Sequence, residues 1–72
     1  MKKTLIKSDV AGIVAEICFN KGDFVKEGEN LIFIESMKME IPISSEVNGI
    51  IKSIEVSEGD EVDEDQVVAT LE

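Results

Sequence analysis

Lys38, flanked by Met37 and Met39 within Glu35-Ser36-Met37-Lys38-Met39-Glu40, is the residue whose setting points to chemistry. A primary amine becomes a nucleophile once it loses its proton, so a lysine offered to another enzyme is a site for amide formation. The chain has no His and shows no residue suited to act as that base. Any acylation of Lys38 therefore needs a partner enzyme. The flexible, polarizable methionines would suit adaptable contacts with such a partner. Taken singly, each of these residues also has a plainer reading. Lys38 is one of seven lysines, and an exposed lysine is usually just solvated, while ordinary core methionines are the alternative reading of Met37 and Met39.

The elements around Lys38 decide between these readings. Shifting the sequence by 37 positions lays Thr4–Glu35 over Ile41–Glu72 without a gap, and eleven of the 32 pairs are identical, among them Ser8/Ser45, Gly12/Gly49, Gly22/Gly59 and Asp23/Asp60. The chain is then a unit over 4–35, a junction over 36–40 and a second unit over 41–72. Each unit is rich in Ile and Val, is punctuated by glycine, and lacks the 3.6-residue apolar period of a helix. Strands are expected near 4–8, 12–18, 24–26, 31–35, 39–44, 49–56, 61–63 and 67–71. Apolar spacing through Ile13, Val14, Ile17 and Phe19, and through Ile50, Ile51, Ile54 and Val56, breaks strict alternation and predicts a bulge in each unit. Gly28 is matched by Asp65, and both residue types tolerate a left-handed backbone.

A 32-residue β unit buries too little apolar surface to stand alone, so the two units must share one core. The expected fold is all-β: a flattened barrel or sandwich of two four-stranded antiparallel sheets, related by a pseudo-two-fold axis, with first and last strands adjacent. The junction becomes a hairpin tip with Lys38 as its middle residue. Met37 and Met39 would alternate about it and form a small apolar platform.

Composition narrows the function. At 72 residues the chain has room for one small domain over 1–72 and no deep cleft, which argues against an enzyme. A net charge of −9 excludes a nucleic-acid binder and disfavours an anionic membrane surface. The start Met1-Lys2-Lys3 resembles the basic end of a leader segment, but the apolar stretch that must follow is missing. The longest apolar run, Leu31-Ile32-Phe33-Ile34, falls far short of the roughly 18 residues of a membrane span. One cysteine, Cys18, with no partner fits a reducing, cytoplasmic setting, and its alignment with Glu55 predicts an outward position. Seven acids between Glu55 and Asp65 lack the oxygen spacing and central glycine of a calcium loop. They read as a solvated face, and no metal site is expected.

Glu35-Ser36-Met37-Lys38-Met39 is similar to the Glu-Ala-Met-Lys-Met signature of biotinyl domains. The surrounding Gly12, Gly22-Asp23, Gly49 and Gly59-Asp60 likewise resemble the biotinyl/lipoyl attachment family across essentially the whole chain. The resemblance implies that Lys38 is joined to biotin by a biotin protein ligase. Met37 and Met39 would flank the recognition site; Glu35 and Glu40 read as strand-end solvating charges, with a contribution of Glu35 to ligase recognition as the alternative. It implies a biotin carboxyl carrier, monomeric in isolation and not itself catalytic, that serves biotin carboxylase and carboxyltransferase subunits or domains. The lysine stem and biotin chain together would reach about 10–15 Å from the backbone. The gap-free repeat leaves no room for the thumb-like insertion of fatty-acid carriers. Carriers of the pyruvate, propionyl or oxaloacetate systems, or a stand-alone attachment protein, fit better.

Two other readings stay open. A lipoyl acyl carrier would use the same lysine and carry lipoate, although lipoyl domains usually show Asp-Lys-Ala at this point. An unmodified structural β module would leave Lys38 free.

Overall fold

The structure, a computed structural model, describes residues 3–72; Met1 and Lys2, the start of the leader-like stretch, lie outside the described residues. Eight strands follow in order: β1 (Thr4–Lys7), β2 (Gly12–Ile17), β3 (Phe24–Val25), β4 (Asn30–Ser36), β5 (Met39–Ser44), β6 (Gly49–Ile54), β7 (Glu61–Val62) and β8 (Val67–Leu71). Every expected strand forms, with ends within two residues of the sequence reading. Among the described residues no helix is long and apolar enough to cross a membrane.

The strands make two four-stranded antiparallel sheets with orders β1-β8-β6-β3 and β5-β4-β2-β7. Adding 37 residues turns β1, β2, β3 and β4 into β5, β6, β7 and β8, so the pseudo-two-fold relation exchanges the sheets strand for strand. Neither unit owns a sheet. Each sheet interleaves two strands of the first unit with two of the second, which is how two units too small to fold alone come to share one core. First and last strands pair, as expected, through β1 and β8.

The repeat extends to single hydrogen bonds. Ser8 N–H donates to the Gln66 carbonyl at 2.9 Å, and Ser45 N–H donates to the equivalent Glu29 carbonyl at 3.0 Å. Gly28 N–H returns a bond to the Ser45 carbonyl and Asp65 N–H returns one to the Ser8 carbonyl, both at 2.8 Å. Gly28 has φ +92° and Asp65 has φ +69°, so the predicted left-handed pair is present and Asp carries the conformation without glycine. The expected bulges lie at equivalent places, where register shifts between Val14 and Glu16 on β2 and between Ile51 and Ser53 on β6. An extra residue there re-aims the following side chains, which is why alternation fails in the sequence.

Inward side chains of both sheets form one cluster, with Val25, Ile34 and Val68 fully enclosed and Ile6 and Ile43 meeting it from edge strands β1 and β5. This core fixes the rigid body from which the β4–β5 hairpin projects.

Candidate functional site

The hairpin that carries Lys38 is paired from Asn30↔Ser44 at its base to Ser36↔Met39 at its end. The turn is therefore two residues long, Met37 and Lys38, one residue shorter than the expected strand ends at 35 and 39 leave, because Ser36 joins β4. Both have left-handed backbones, with φ +52° and +65°, the conformation that type I′ hairpin turns require at both central positions. Such turns normally use Asn-Gly, because a side chain in this region is strained by about 1–2 kcal/mol per residue. Pairing of β4 on both sides, with β5 and with β2, holds the strained turn in place. Lys38 is the second of two turn residues, so the expected strand-like alternation of Met37 and Met39 about it does not hold. Strand periodicity ends at Ser36.

Exposure separates the two readings of these residues. Lys38 is exposed. Met37 is 92% and Met39 61% exposed, so neither is a core methionine. The Lys38 amine thus stands on a strained, doubly supported tip, flanked by two apolar side chains in solvent.

Glu35 sits directly opposite Glu40, one step below the turn, and both are exposed. Across the other side of β4, Ile13 pairs with Glu35, and Glu61 pairs with Ile13. Paired residues share a face of the sheet, so Glu40, Glu35, Ile13 and Glu61 form one outward row beside the tip. Like charges placed directly opposite are unfavourable, and the tip carries this repulsion as well as backbone strain. Gly12 lets β2 come this close, since a Cβ there would fall well inside contact distance of the Glu35 carbonyl oxygen.

Elsewhere the sequence reading meets mixed results. Cys18 faces solvent as its alignment with Glu55 implied. Partial burial, then the charges of Glu16 and Glu58, push its thiol above the ordinary range, so it holds less thiolate than a free cysteine at neutral pH. The seven acids of 55–65 are all exposed. Three of them have local structural duties. Asp60 accepts from Ser57 N–H at 2.9 Å, as Asp23 does from Asn20 N–H at 2.8 Å, and Glu55 accepts from the Ser53 hydroxyl. Glu58 reaches across to accept from Ile17 N–H at 3.1 Å.

Ser8 and Ser45, identical under the repeat, were given no role by the sequence reading. Both are buried, and each hydroxyl donates to the carbonyl two residues on, at Val10 and Val47, while accepting from the same residue's N–H. They clamp the crossovers between sheets. A serine repeated between two strand ends was the available signal.

The family model described as Biotin-requiring enzyme matches residues 3–71. The chain is 33% identical over 66 residues to the biotinylated protein TB7.3 homolog of Mycobacterium leprae, covering 92% of this chain and 93% of that protein. It is 36% identical over 66 residues to the biotin/lipoyl attachment protein of Bacillus subtilis, covering 92% of this chain and 90% of that one. Among solved structures, urea carboxylase of Kluyveromyces lactis superposes with a TM-score of 0.93 at 28% identity over 99% of this chain, which spans 6% of that enzyme. The match along nearly all of its length, on a duplicated sheet pair with an exposed tip lysine, makes the chain a member of the biotin/lipoyl attachment domain family.

Proposed function

We propose that the chain is a biotin carboxyl carrier whose Lys38 is acylated by a biotin protein ligase. The observation that carries this reading is the tip itself, an exposed lysine between two solvent-exposed methionines on a turn held by paired strands. An amide would form between Lys38 Nζ and the carboxyl carbon of biotin that the ligase has activated with ATP as an acyl-adenylate, with AMP as leaving group and the amine proton taken up by the ligase. Met37 and Met39 offer the apolar contact that surrounds the reacting amine, and Glu35 and Glu40 offer charge to a basic ligase surface. Biotin, once attached, supplies a ring nitrogen that carries a carboxyl group. The body contributes position: a rigid sandwich with one lysine on an arm holds the group at high effective concentration for two active sites of a carboxylase or decarboxylase. No residue of the chain takes part in that chemistry, so the protein is a carrier and not a catalyst, working in the cytoplasm.

Incubation with biotin, ATP and a biotin protein ligase, followed by intact mass, tests the reading. Wild type should gain one biotin and Lys38→Arg none; an unlabelled, folded wild type overturns it. The joint biotin/lipoyl name of the Bacillus subtilis relative supports a second reading, lipoate on the same amine. A lipoate ligase arm in the same experiment separates the two, because the mass increments differ.

A further inference from the structure

Charge within the strands is sorted by sheet. The strands of β1-β8-β6-β3 carry Lys7 and Lys52 and no acid, whereas those of β5-β4-β2-β7 carry Glu16, Glu35, Glu40 and Glu61 and no base. Lys3, leading into β1, adds a base, and Glu72, which follows β8 and exchanges two backbone hydrogen bonds with Ile50, adds an acid to the same outward row. The Lys3 amine is held below the ordinary lysine range by Lys52, as a hydrogen-bond partner and through its charge, with Glu72 acting the other way. Lys3 and Lys52 thus lie close together on a protein of net charge −9.

The same sheet exposes apolar side chains. Phe24 on β3 and Ile50 on β6 sit directly opposite each other at 56% and 49% exposure, and Leu5 on edge strand β1 is 51% exposed. The internal duplication is a control on what the fold requires. At the equivalent backbone positions the other sheet has Glu61 opposite Ile13, and Pro42 in place of Leu5. A two-residue strand therefore pairs without an aromatic, so Phe24 is not needed to hold β3 in place.

The patch lies far from the tip. Beyond the base of the β4–β5 hairpin, Gly28 N–H bonds the Ser45 carbonyl, Glu27 N–H bonds Asn48 Oδ1, and Val25 pairs with Gly49. The seven residues of β4 separate that end from Lys38 by roughly 20 Å.

We propose that the outward face of the β1-β8-β6-β3 sheet, centred on Phe24 and Ile50 and flanked by Lys3 and Lys52, docks onto a partner protein that presents an apolar centre rimmed by carboxylates. The docked partner holds the body while the Lys38 tip stays free. The inference rests on the carrier reading, to which it adds a second contact. Overall charge opposes nucleic acid and anionic lipid as occupants. Molecular extents of 36 × 17 × 17 Å make the sheet face smaller than the roughly 800 Å² per partner of stable complexes, so docking is transient, as a carrier needs.

Two synthetic amphipathic peptides with the same Leu/Phe stripe, one flanked by Glu and one by Lys, test this by titration into the ¹⁵N-labelled full chain. Vesicles of phosphatidylglycerol make a third arm. The Glu peptide should give saturable shifts centred on residues 5, 24, 50 and 52, with the Lys peptide about tenfold weaker or worse. Phe24→Glu, which writes the other unit's residue onto the same backbone, should stay folded and lose about tenfold in affinity. Shifts that are absent, equal for both peptides, centred on the β5-β4-β2-β7 sheet, or produced by the vesicles overturn the proposal. Ligase labelling of Phe24→Glu at Lys38 is read alongside. Normal labelling with lost peptide binding isolates the patch, whereas absent labelling of wild type is a failure of the carrier reading alone.

Discussion

The two ends of the sandwich have the same backbone and opposite chemistry. Under the 37-residue shift the row Glu40, Glu35, Ile13 and Glu61 beside the tip corresponds to Lys3, Glu72, Ile50 and Phe24 beside the termini. One row is acidic and sits next to a strained turn; the other is apolar, with a lysine near a carboxylate. Since both sit on equivalent strands, the difference is not imposed by folding. The duplicated frame sets the shape, and side chains that the core does not constrain have diverged to give each end its own surface.

The largest effect that would break this equivalence comes from the glycines that open each row. A Cβ at Gly12 would collide with the Glu35 carbonyl oxygen and the Ile34 side chain, whereas one at Gly49 would lie 2.9 Å from the Glu72 carbonyl oxygen. Gly12→Ala should cost about 1–3 kcal/mol, and more than Gly49→Ala, because its Cβ would approach the Glu35 carbonyl oxygen more closely and meet the buried Ile34 side chain as well. Urea denaturation of both variants reads the difference. Gly12→Ala should also displace β4 next to the tip and slow ligase labelling of Lys38, an effect that Gly49→Ala should not share. Equal costs would mean that the two ends are equally rigid.

A smaller and symmetric effect is expected where the halves agree. Ser8→Ala and Ser45→Ala each remove a buried hydroxyl that serves one carbonyl and one N–H. Each should destabilise by about 1–3 kcal/mol, toward the lower end because a relaxed crossover can admit water, and the two values should match closely. Unequal values by urea denaturation would show that one crossover is held by something other than its serine.

These residues also mark what was legible in the sequence. Strand positions, both bulges, the Gly28/Asp65 turn and the exposed hairpin bearing Lys38 could be read because they follow from local pattern repeated twice. Two things could not. The sorting of Lys7 and Lys52 from Glu16, Glu35, Glu40 and Glu61 depends on a topology that sends alternate strands to opposite sheets, so charges that mix along the chain separate in space. The left-handed Met37-Lys38 turn was hidden because neither residue type advertises that backbone; only the tight Ser36↔Met39 pairing reveals it. The bond from Ile17 N–H to Glu58, across 41 positions, depends on the same topology.

The smallest effect sharpens the contrast between the rows most directly. Glu40 is the counterpart of Lys3, and Glu35 that of Glu72, so Glu40→Lys rebuilds at the tip the cation–carboxylate arrangement of the terminal end. Replacing a like-charge cross-strand pair with an opposite one should stabilise the chain by at most about 0.5 kcal/mol, because both side chains are in solvent. Salt should erase the gain, since exposed charges are screened over about 8–10 Å. If the Glu35/Glu40 repulsion is retained for a basic ligase surface, the stabilised variant should nevertheless be labelled more slowly at Lys38, most clearly at low ionic strength where charge governs encounter. A variant that is more stable and labelled at the wild-type rate would assign the acidic row to solvation alone and leave recognition to Met37, Lys38 and Met39.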